Sequence, residues 1–144
     1  MISLPDEAHG ALAVGWATVE LERAARELSH LLVPGSAFTD APSSAILGAR
    51  CRVGPAGEHT GLRIVLLEPE TEGRLAATLA RRGEGWSAIW EASRVVPEPP
   101  GPVTAPLRPA VSARRPGPLG RERLVPGAGP AAPHRLLVDV PSQT

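Results

Sequence analysis

A chain of 144 residues has room for one domain, and 42% hydrophobic residues is enough for a modest core. Its 15 basic residues are all arginine and are balanced by 15 acidic residues, so no net field attracts nucleic acid or an anionic membrane. The single cysteine, Cys51, excludes an intrachain disulfide and a thiolate cluster for zinc or iron–sulfur.

The first third of the chain carries a strand pattern followed by a helix pattern. After a lead-in at residues 1–10, bulky and small residues alternate over residues 11–19, which predicts a strand with one nearly bare face. Leucines and alanines recur at helical spacing over residues 20–32, until a Pro-Gly pair ends the helix. The breaker-rich residues 34–44 predict a loop, either without regular structure or with one short strand at residues 37–39.

The central third predicts a hairpin, a helix and a further strand. Residues 45–53 alternate in strand fashion, and a Gly-Pro-Ala-Gly turn joins them to the apolar residues 61–69. Leucines and alanines then recur at helical spacing over residues 71–83, where a glycine ends the helix. Residues 86–90 resume a strand pattern, so this region reads strand, strand, helix, strand.

The last third is rich in proline, with 12 of the 17 prolines between Pro97 and Pro141. This spacing excludes helices and favours loops. Two apolar runs survive, at residues 123–125 and 134–140, and the second is the better strand candidate. The tail is either disordered or partly ordered around that second run, and we favour partial order.

Three segments match the motifs of one family in their order and spacing. Residues 13–24 match the opening His-hydrophobic-Gly-hydrophobic-Ala-Val-x-Asp-Leu-Glu-x-Ala, and residues 64–69 match Val-Glu-Leu-Leu-x-Pro. Residues 82–90 match Arg-Gly-Glu-Gly-Leu-His-His-Ile-Ala. On these motifs the chain resembles the vicinal oxygen chelate superfamily of glyoxalases, bleomycin-resistance proteins and dioxygenases, and within it the methylmalonyl-CoA epimerase-like proteins.

The resemblance implies an α+β fold in which βαβββ modules form a curved mixed sheet. We expect the lead-in at residues 1–10, the first module and a connecting helix at residues 11–85, and a shortened, proline-rich second module at residues 86–144. Cups of this kind usually close across a partner, so the resemblance also implies a homodimer.

The metal ligands of the family are missing from the matching positions. Family enzymes bind a divalent metal through a histidine opening each module and a carboxylate or glutamine on the fourth strand of each module. The resemblance places Ala13, Ala88, Val65 and, less firmly, Leu137 at these positions. Aliphatic side chains supply no oxygen or nitrogen ligand, so we expect no metal and no other cofactor.

Strand alternation, combined with the resemblance, points one set of side chains into the hollow of the sheet. The residues expected to bind a ligand there are Ala13, Gly15, Arg63, Val65, Trp86, Ala88 and Trp90. Small residues leave space, and indole rings bind aromatic or polycyclic molecules well. The alternative is that the tryptophans only fill the core, since tryptophan is buried for packing more often than for binding.

Polar candidates in the sequence are few and unpaired. Arg63 either holds a carboxylate, phosphate or enolate oxygen of the ligand or extends into solvent at the sheet edge. For metal-free acid–base chemistry the candidates are Glu68, Glu91, Asp139 and His134, but the sequence pairs none of them. No catalytic residue is therefore assigned.

These observations favour a metal-independent small-molecule-binding protein, acting in bacterial specialised metabolism as a cofactor-free isomerase, cyclase or lyase. The alternatives are an antibiotic-sequestering resistance protein and a non-catalytic interaction module whose residues 97–133 dock a partner. The expected ligand is aromatic, polyketide-like or an acyl-CoA. Because the N-terminus lacks a signal pattern and no window approaches about 20 apolar residues, we expect a cytoplasmic protein with neither membrane nor nucleic-acid partners.

Overall fold

The computed structural model describes residues 3–8, 10–57, 60–93, 113–125 and 132–139. The strands in these ranges are β1 (Ala13–Ala17), β2 (Thr39–Ser44), β3 (Ala49–Val53), β4 (Arg63–Pro69), β5 (Gly85–Ser93), β6 (Arg115–Gly117), β7 (Gly120–Val125) and β8 (His134–Asp139). The helices are α1 (Leu21–Leu28) and α2 (Arg74–Arg82), with 3-10 turns at Asp6–Ala8 and Ser29–Leu31. Neither described α-helix is long and apolar enough to span a bilayer.

All eight strands form one sheet in the order β2-β3-β4-β1-β5-β8-β7-β6. β1 pairs in parallel with β4, and β5 in parallel with β8, whereas the other neighbouring pairs are antiparallel. The two edges of the sheet meet, because the N–H of Ala45 donates a 3.1 Å hydrogen bond to the carbonyl of Pro116 on β6. The predicted α+β fold with a curved mixed sheet is confirmed.

The hairpin predicted in the central third is confirmed as β3 paired with β4, but its first strand is shorter than predicted. Residues 45–48 form a turn, because Gly48 adopts a φ of +69° that ends the extended backbone. The short strand considered at residues 37–39 overlaps the observed β2 only at Thr39, where β2 begins, and β2 runs on to Ser44. Pro42 is tolerated there since β2 is an edge strand.

In the proline-rich third, β7 and β8 confirm that the two apolar runs are strands. β6 was not predicted; it accommodates Pro116 at the opposite sheet edge, where no ladder donor is required. The loops predicted at residues 94–112 and 126–131 lie outside the described residues. The division of the chain into modules at residue 85 stays a prediction.

The sheet has two apolar faces. Its outer face packs against α1 through Leu21, Ala24 and Leu28. Its inner face curves around a second cluster, which α2 covers at one end: Leu75 joins that cluster and donates its N–H to the carbonyl of Leu47 at 3.1 Å. The opposite end of the inner face, where β3 ends and β4 begins, is called the mouth below.

Two carboxylates fix the turn between β1 and α1. The N–H of Leu21 donates to Oε2 of Glu68 at 3.0 Å. The N–H of Val19 and the hydroxyl of Thr18 donate to Oε2 of Glu84 at 3.0 and 3.1 Å, and the first of these bonds is the main reason that the pKa of Glu84 is lowered. Anions near a helix N-terminus also interact favourably with the helix dipole, so both glutamates stabilise the start of α1.

Trp90 fills the centre of the inner face and is fully buried. Its ring lies over Gly15 on the neighbouring strand: a Cβ added to Gly15 would be 2.7 Å from Cζ3 of Trp90 and 2.7 Å from Cδ1 of Leu67. Real Cβ atoms do not approach so closely, so glycine at this position is what allows the indole to pack this close to β1.

We expect Gly15→Ala to destabilise the protein by about 1 to 3 kcal/mol, because an extra methyl group in a packed interior forces side chains off their rotamers. Urea unfolding followed by far-UV circular dichroism measures the change. Gly73→Ala is the matched control, since Gly73 has an extended φ of −170° and an added Cβ would meet its nearest neighbour at 3.5 Å. Equal stability of Gly15→Ala and the wild type would contradict this packing.

Candidate functional site

Most of the residues predicted to line the hollow lie together on the inner face. Ala13, Val65, Ala88 and Trp90 are each buried to within 1% of completely. Gly15 lies between Val65 on β4 and Ala88 on β5. The space that these small residues leave is occupied by the Trp90 ring, so the described centre of the sheet is packed. Ligand binding by this group stays a prediction.

Trp86 lies on the other face of the sheet. The register between β1 and β5 shifts at Trp16, which pairs with Trp86 while Gly15 pairs with Ala88. Ser87 is the extra residue, and such a bulge reverses the alternation of faces that the sequence suggested. Trp86 therefore contacts Trp16 edge to face, with ring centroids 5.1 Å apart, and donates its indole N–H to the carbonyl of Ser3 at 2.8 Å.

The residues at the family's metal positions do not fit a metal ion. Ala13, Val65 and Ala88 are buried and aliphatic. On β8 the inner face receives Leu136, and not the predicted Leu137, which lies outside the inner cluster. Carbon atoms supply no ligands at the 2.0–2.5 Å or so that a cation requires. The described residues contain no group of three or more His, Cys, Asp or Glu that could hold a metal.

The inner face does contain one buried carboxyl, that of Glu122 on β7, which sequence reasoning missed. Its Oε1 accepts the indole N–H of Trp90 at 3.0 Å, and its Oε2 accepts the hydroxyl of Ser44 at 2.8 Å. The Ser44 oxygen in turn accepts the N–H of Leu47 at 3.2 Å. Gly117 on β6 packs directly against this carboxyl, which a Cβ at that position would overlap. The network ties β2, β5, β6 and β7 together.

Glu122 has a raised pKa because its burial disfavours the charged form, although the hydrogen bonds from Trp90 and Ser44 oppose that effect. No arginine is among the described buried residues that could offset its charge. In the sequence Glu122 stands between Arg121 and Arg123, a pattern typical of exposed residues. The alternation of Glu122 with Leu124 was the only signal that could have placed it inside.

The mouth of the inner face holds an open pocket of about 440 Å³. It is lined by the C-terminal end of β3, the N-terminal end of β4, the start of β2 and the turn between β6 and β7. The lining residues are Ser36, Ala37, Thr39, Asp40, Ala41, Pro42, Val53, Gly54, Pro55, Arg63 and Pro118. Alanine, valine and proline dominate, so the walls are largely apolar with a few polar groups, as small-molecule pockets are.

Arg63 is the cation of this mouth pocket. It is the first residue of β4, its side chain is exposed, and it forms no ion pair with any residue that the structure describes. Asp40, on the same pocket wall, is engaged with Arg52, whose Nε lies 3.2 Å from Oδ1. The pocket therefore presents one guanidinium whose donors remain available to an anion.

The four acid–base candidates from the sequence lie apart from this pocket and from one another. Glu68 caps α1, and Glu91 accepts a 2.8 Å hydrogen bond from Nε of Arg135. Asp139 pairs with Arg114, with Nε 2.7 Å from Oδ2. His134 Nε2 lies 3.0 Å from the hydroxyl of Thr78 on α2. None of these side chains lines the mouth pocket, and none contacts another.

Cys51 is packed as a small hydrophobic residue. It lies in the inner cluster at 4% exposure. Burial raises its pKa to about 12, with smaller contributions from the negative charges of Glu122 and Glu70 opposed by a backbone hydrogen bond from Ser44. Because the thiolate is the nucleophile, this cysteine is inert in the described structure.

Parallel pairing of β1 with β4 and of β5 with β8 around one inner face defines the vicinal oxygen chelate fold. Solved structures share it. A variant of methylmalonyl-CoA epimerase from Streptomyces coelicolor, in complex with 2-nitronate-propionyl-CoA, matches with a TM-score of 0.67 and 19% identity, covering 94% of this chain and 99% of that one. Methylmalonyl-CoA epimerase from Mycobacterium tuberculosis matches with a TM-score of 0.63 and 18% identity, covering 98% and 94%.

A hypothetical protein from Bacillus halodurans also matches, with a TM-score of 0.62 and 14% identity over 93% of this chain and 96% of that one. No protein-family model and no curated protein matches the sequence. The fold implied by the sequence motifs is thus confirmed. At 14 to 19% identity, the similarity concerns the fold and not the activity.

The buried Glu122 carboxyl should make the unfolding free energy depend on pH. Its pKa is raised in the folded state, so its contribution to stability is fully present below the unfolded pKa and declines as the pH rises through the folded pKa. We expect Glu122→Gln to remove this decline, so that the unfolding free energy of the variant rises relative to that of the wild type as the pH rises above the unfolded pKa of glutamate.

Urea unfolding at several pH values measures both curves, and their difference cancels the titration of other groups. Glu22→Gln, at an exposed position on α1, is the control and should run parallel to the wild type. Parallel curves for Glu122→Gln and the wild type would show that Glu122 has the same pKa in the folded and unfolded chains.

Proposed function

We propose that this chain binds a small organic anion in the mouth pocket, through Arg63 and without a metal ion. The observation that carries the proposal is an exposed guanidinium, unpaired among the described residues, on the wall of a 440 Å³ pocket. This pocket opens at the mouth of a fold whose metal positions are aliphatic here. This chain has no metal-binding side chains at those positions, so the metal-dependent reactions of other proteins with this fold are not available to it. An arginine at the mouth, by contrast, can bind a carboxylate or phosphate directly.

The walls of the pocket favour a ligand with a substantial apolar part. Ala37, Ala41, Pro42, Val53 and Pro118 supply hydrocarbon surface around the single cation. An aromatic acid, a polyketide-like carboxylate or an acyl-CoA combines such a body with an anionic group. The complex of a structural neighbour with 2-nitronate-propionyl-CoA supports including acyl-CoA thioesters among the candidates. A role in bacterial specialised metabolism, a cytoplasmic location and a homodimer remain parts of this proposal.

Binding without catalysis, as in ligand sequestration, is the function that the geometry supports best. Glu122 is completely buried and Cys51 nearly so, and neither lines the pocket. The second candidate is a cofactor-free isomerase, cyclase or lyase, and the observation that favours it is Asp40. Asp40 is the acidic residue that lines the same pocket as Arg63, and its side chain is 91% exposed.

Isothermal titration calorimetry with benzoate, a polyketide carboxylate and propionyl-CoA tests the binding proposal. We expect at least one ligand to bind with equal affinity in the presence and absence of EDTA. Arg63→Gln should weaken that binding by about tenfold or more, because a charge-assisted hydrogen bond is lost. Arg50→Gln removes an equal charge from an exposed outer position of β3 and should leave the affinity unchanged. Loss of binding with EDTA, or equal losses in both variants, would contradict the proposal.

Incubation with the ligand so identified, followed by mass spectrometry and chiral chromatography, separates the two candidate functions. We expect the ligand to be recovered unchanged, since no described group positioned in the pocket other than Asp40 can accept a proton from it. Product that forms with the wild type and not with Asp40→Asn would establish catalysis instead. The Asp40→Asn variant must still bind the ligand for that comparison to hold.

A further inference from the structure

A second cationic surface lies at the end of the sheet opposite the mouth, on α2. Arg74, Arg81 and Arg82 are all exposed there, and none forms an ion pair with an acidic residue in the described part of the chain. Three exposed cations on a helix of nine residues give this end of the sheet a local positive charge.

The helix dipole accounts for only part of this arrangement. Arg81 and Arg82 lie in the last turn, where the negative end of the dipole favours cations. Arg74 is the first residue of α2, at the positive end, and the first turn contains no acidic residue to compensate. The helix dipole therefore does not explain the position of Arg74.

The arginines border a histidine. Arg74, Thr78 and Arg81 follow one another at helical spacings of four and three residues, so they form one stripe along α2. The hydroxyl of Thr78, in the middle of the stripe, lies 3.0 Å from Nε2 of His134 on β8. Arg74 and Arg81 are about 10 Å apart along the helix axis, a span that two arginine side chains can close around a ligand beside the histidine.

His134 lies against α2 and close to its charges. The Thr78 hydroxyl lies 2.9 Å from the carbonyl of Arg74 and 3.0 Å from Nε2 of His134. Partial burial is the main cause of the lowered pKa of His134, and the charges of Arg74, Arg81 and Arg82 lower it further. An anion placed among those arginines would cancel this repulsion.

We propose that the stripe of Arg74, Thr78 and Arg81, together with Arg82 and His134, binds the phosphate group of a small phosphorylated ligand. Phosphate suits the site because its oxygens accept hydrogen bonds from several guanidinium groups at once. The site is separate from the mouth pocket and does not depend on the function proposed for it. By linkage, binding of the anion is accompanied by proton uptake at His134 and is tighter at lower pH.

Titration of the full chain with inorganic pyrophosphate, followed by NMR of the His134 ring, tests this proposal. His134→Gln identifies the resonance among the four histidines. We expect a saturable change in the His134 signal and a higher His134 pKa with pyrophosphate present. Arg74→Gln and Arg81→Gln should each weaken binding by about tenfold, whereas Arg26→Gln, an exposed arginine on α1, should not.

Several outcomes would overturn the proposal. One is a His134 signal that does not respond, or responds without saturation as it would to salt. Another is an equal loss of affinity in Arg26→Gln and Arg74→Gln, which would mean that only overall charge matters. A response that disappears in Arg63→Gln would place the anion in the mouth pocket instead of on α2.

Discussion

The close approach of the Trp90 indole to the bare backbone of Gly15 determines what the rest of this sheet can do. In a curved sheet that closes on itself, the centre must be filled either by side chains, by solvent or by a ligand. Trp90 supplies the volume that the surrounding alanines and glycine do not. Because the centre is then dry and packed, the open volume near the inner face lies at the mouth, where Arg63 stands.

Glu122 is part of the same packing around Trp90, and burying its carboxyl costs folding free energy. Burying a carboxyl without a cation is unfavourable, yet this carboxyl accepts hydrogen bonds from the indole of Trp90 and the hydroxyl of Ser44. Without it, two buried donors would lose their acceptors. Since Ser44 ends the edge strand β2 and Glu122 lies next to the other edge strand, the carboxyl also joins the two edges of the sheet across its interior. The network therefore stabilises closure and fixes the position of the indole.

The sequence predicted the fold well where local patterns and tertiary packing agree. The strand at Gly61–Pro69, the two helices and the family motifs all lie in such segments.

The prediction failed where tertiary structure overrides the pattern. At Ser87 one inserted residue turns Trp86 to the outer face, and no periodicity announces a bulge. Glu122 was missed because a carboxylate between two arginines is normally exposed, and only its partners on distant strands make burial tolerable. Alternation along β4 does hold, with Val65 and Leu67 on the inner face and Ile64 and Leu66 on the outer one.

The distribution of charge shows why a balanced composition is a poor guide to ligands. Equal numbers of arginines and acids give no net charge, but several of the acids already have partners within the chain, with Glu68 and Glu84 at the start of α1 and Asp40 against Arg52. Guanidinium groups without a described partner are left at both ends of the sheet, Arg63 at the mouth and three arginines on α2. Solvent ions screen exposed charges over about 8 Å at physiological ionic strength, so each end acts on its own surroundings. A chain that attracts no polyanion as a whole can therefore carry two independent sites for small anions, since each is defined by its local unpaired cations and not by the sum.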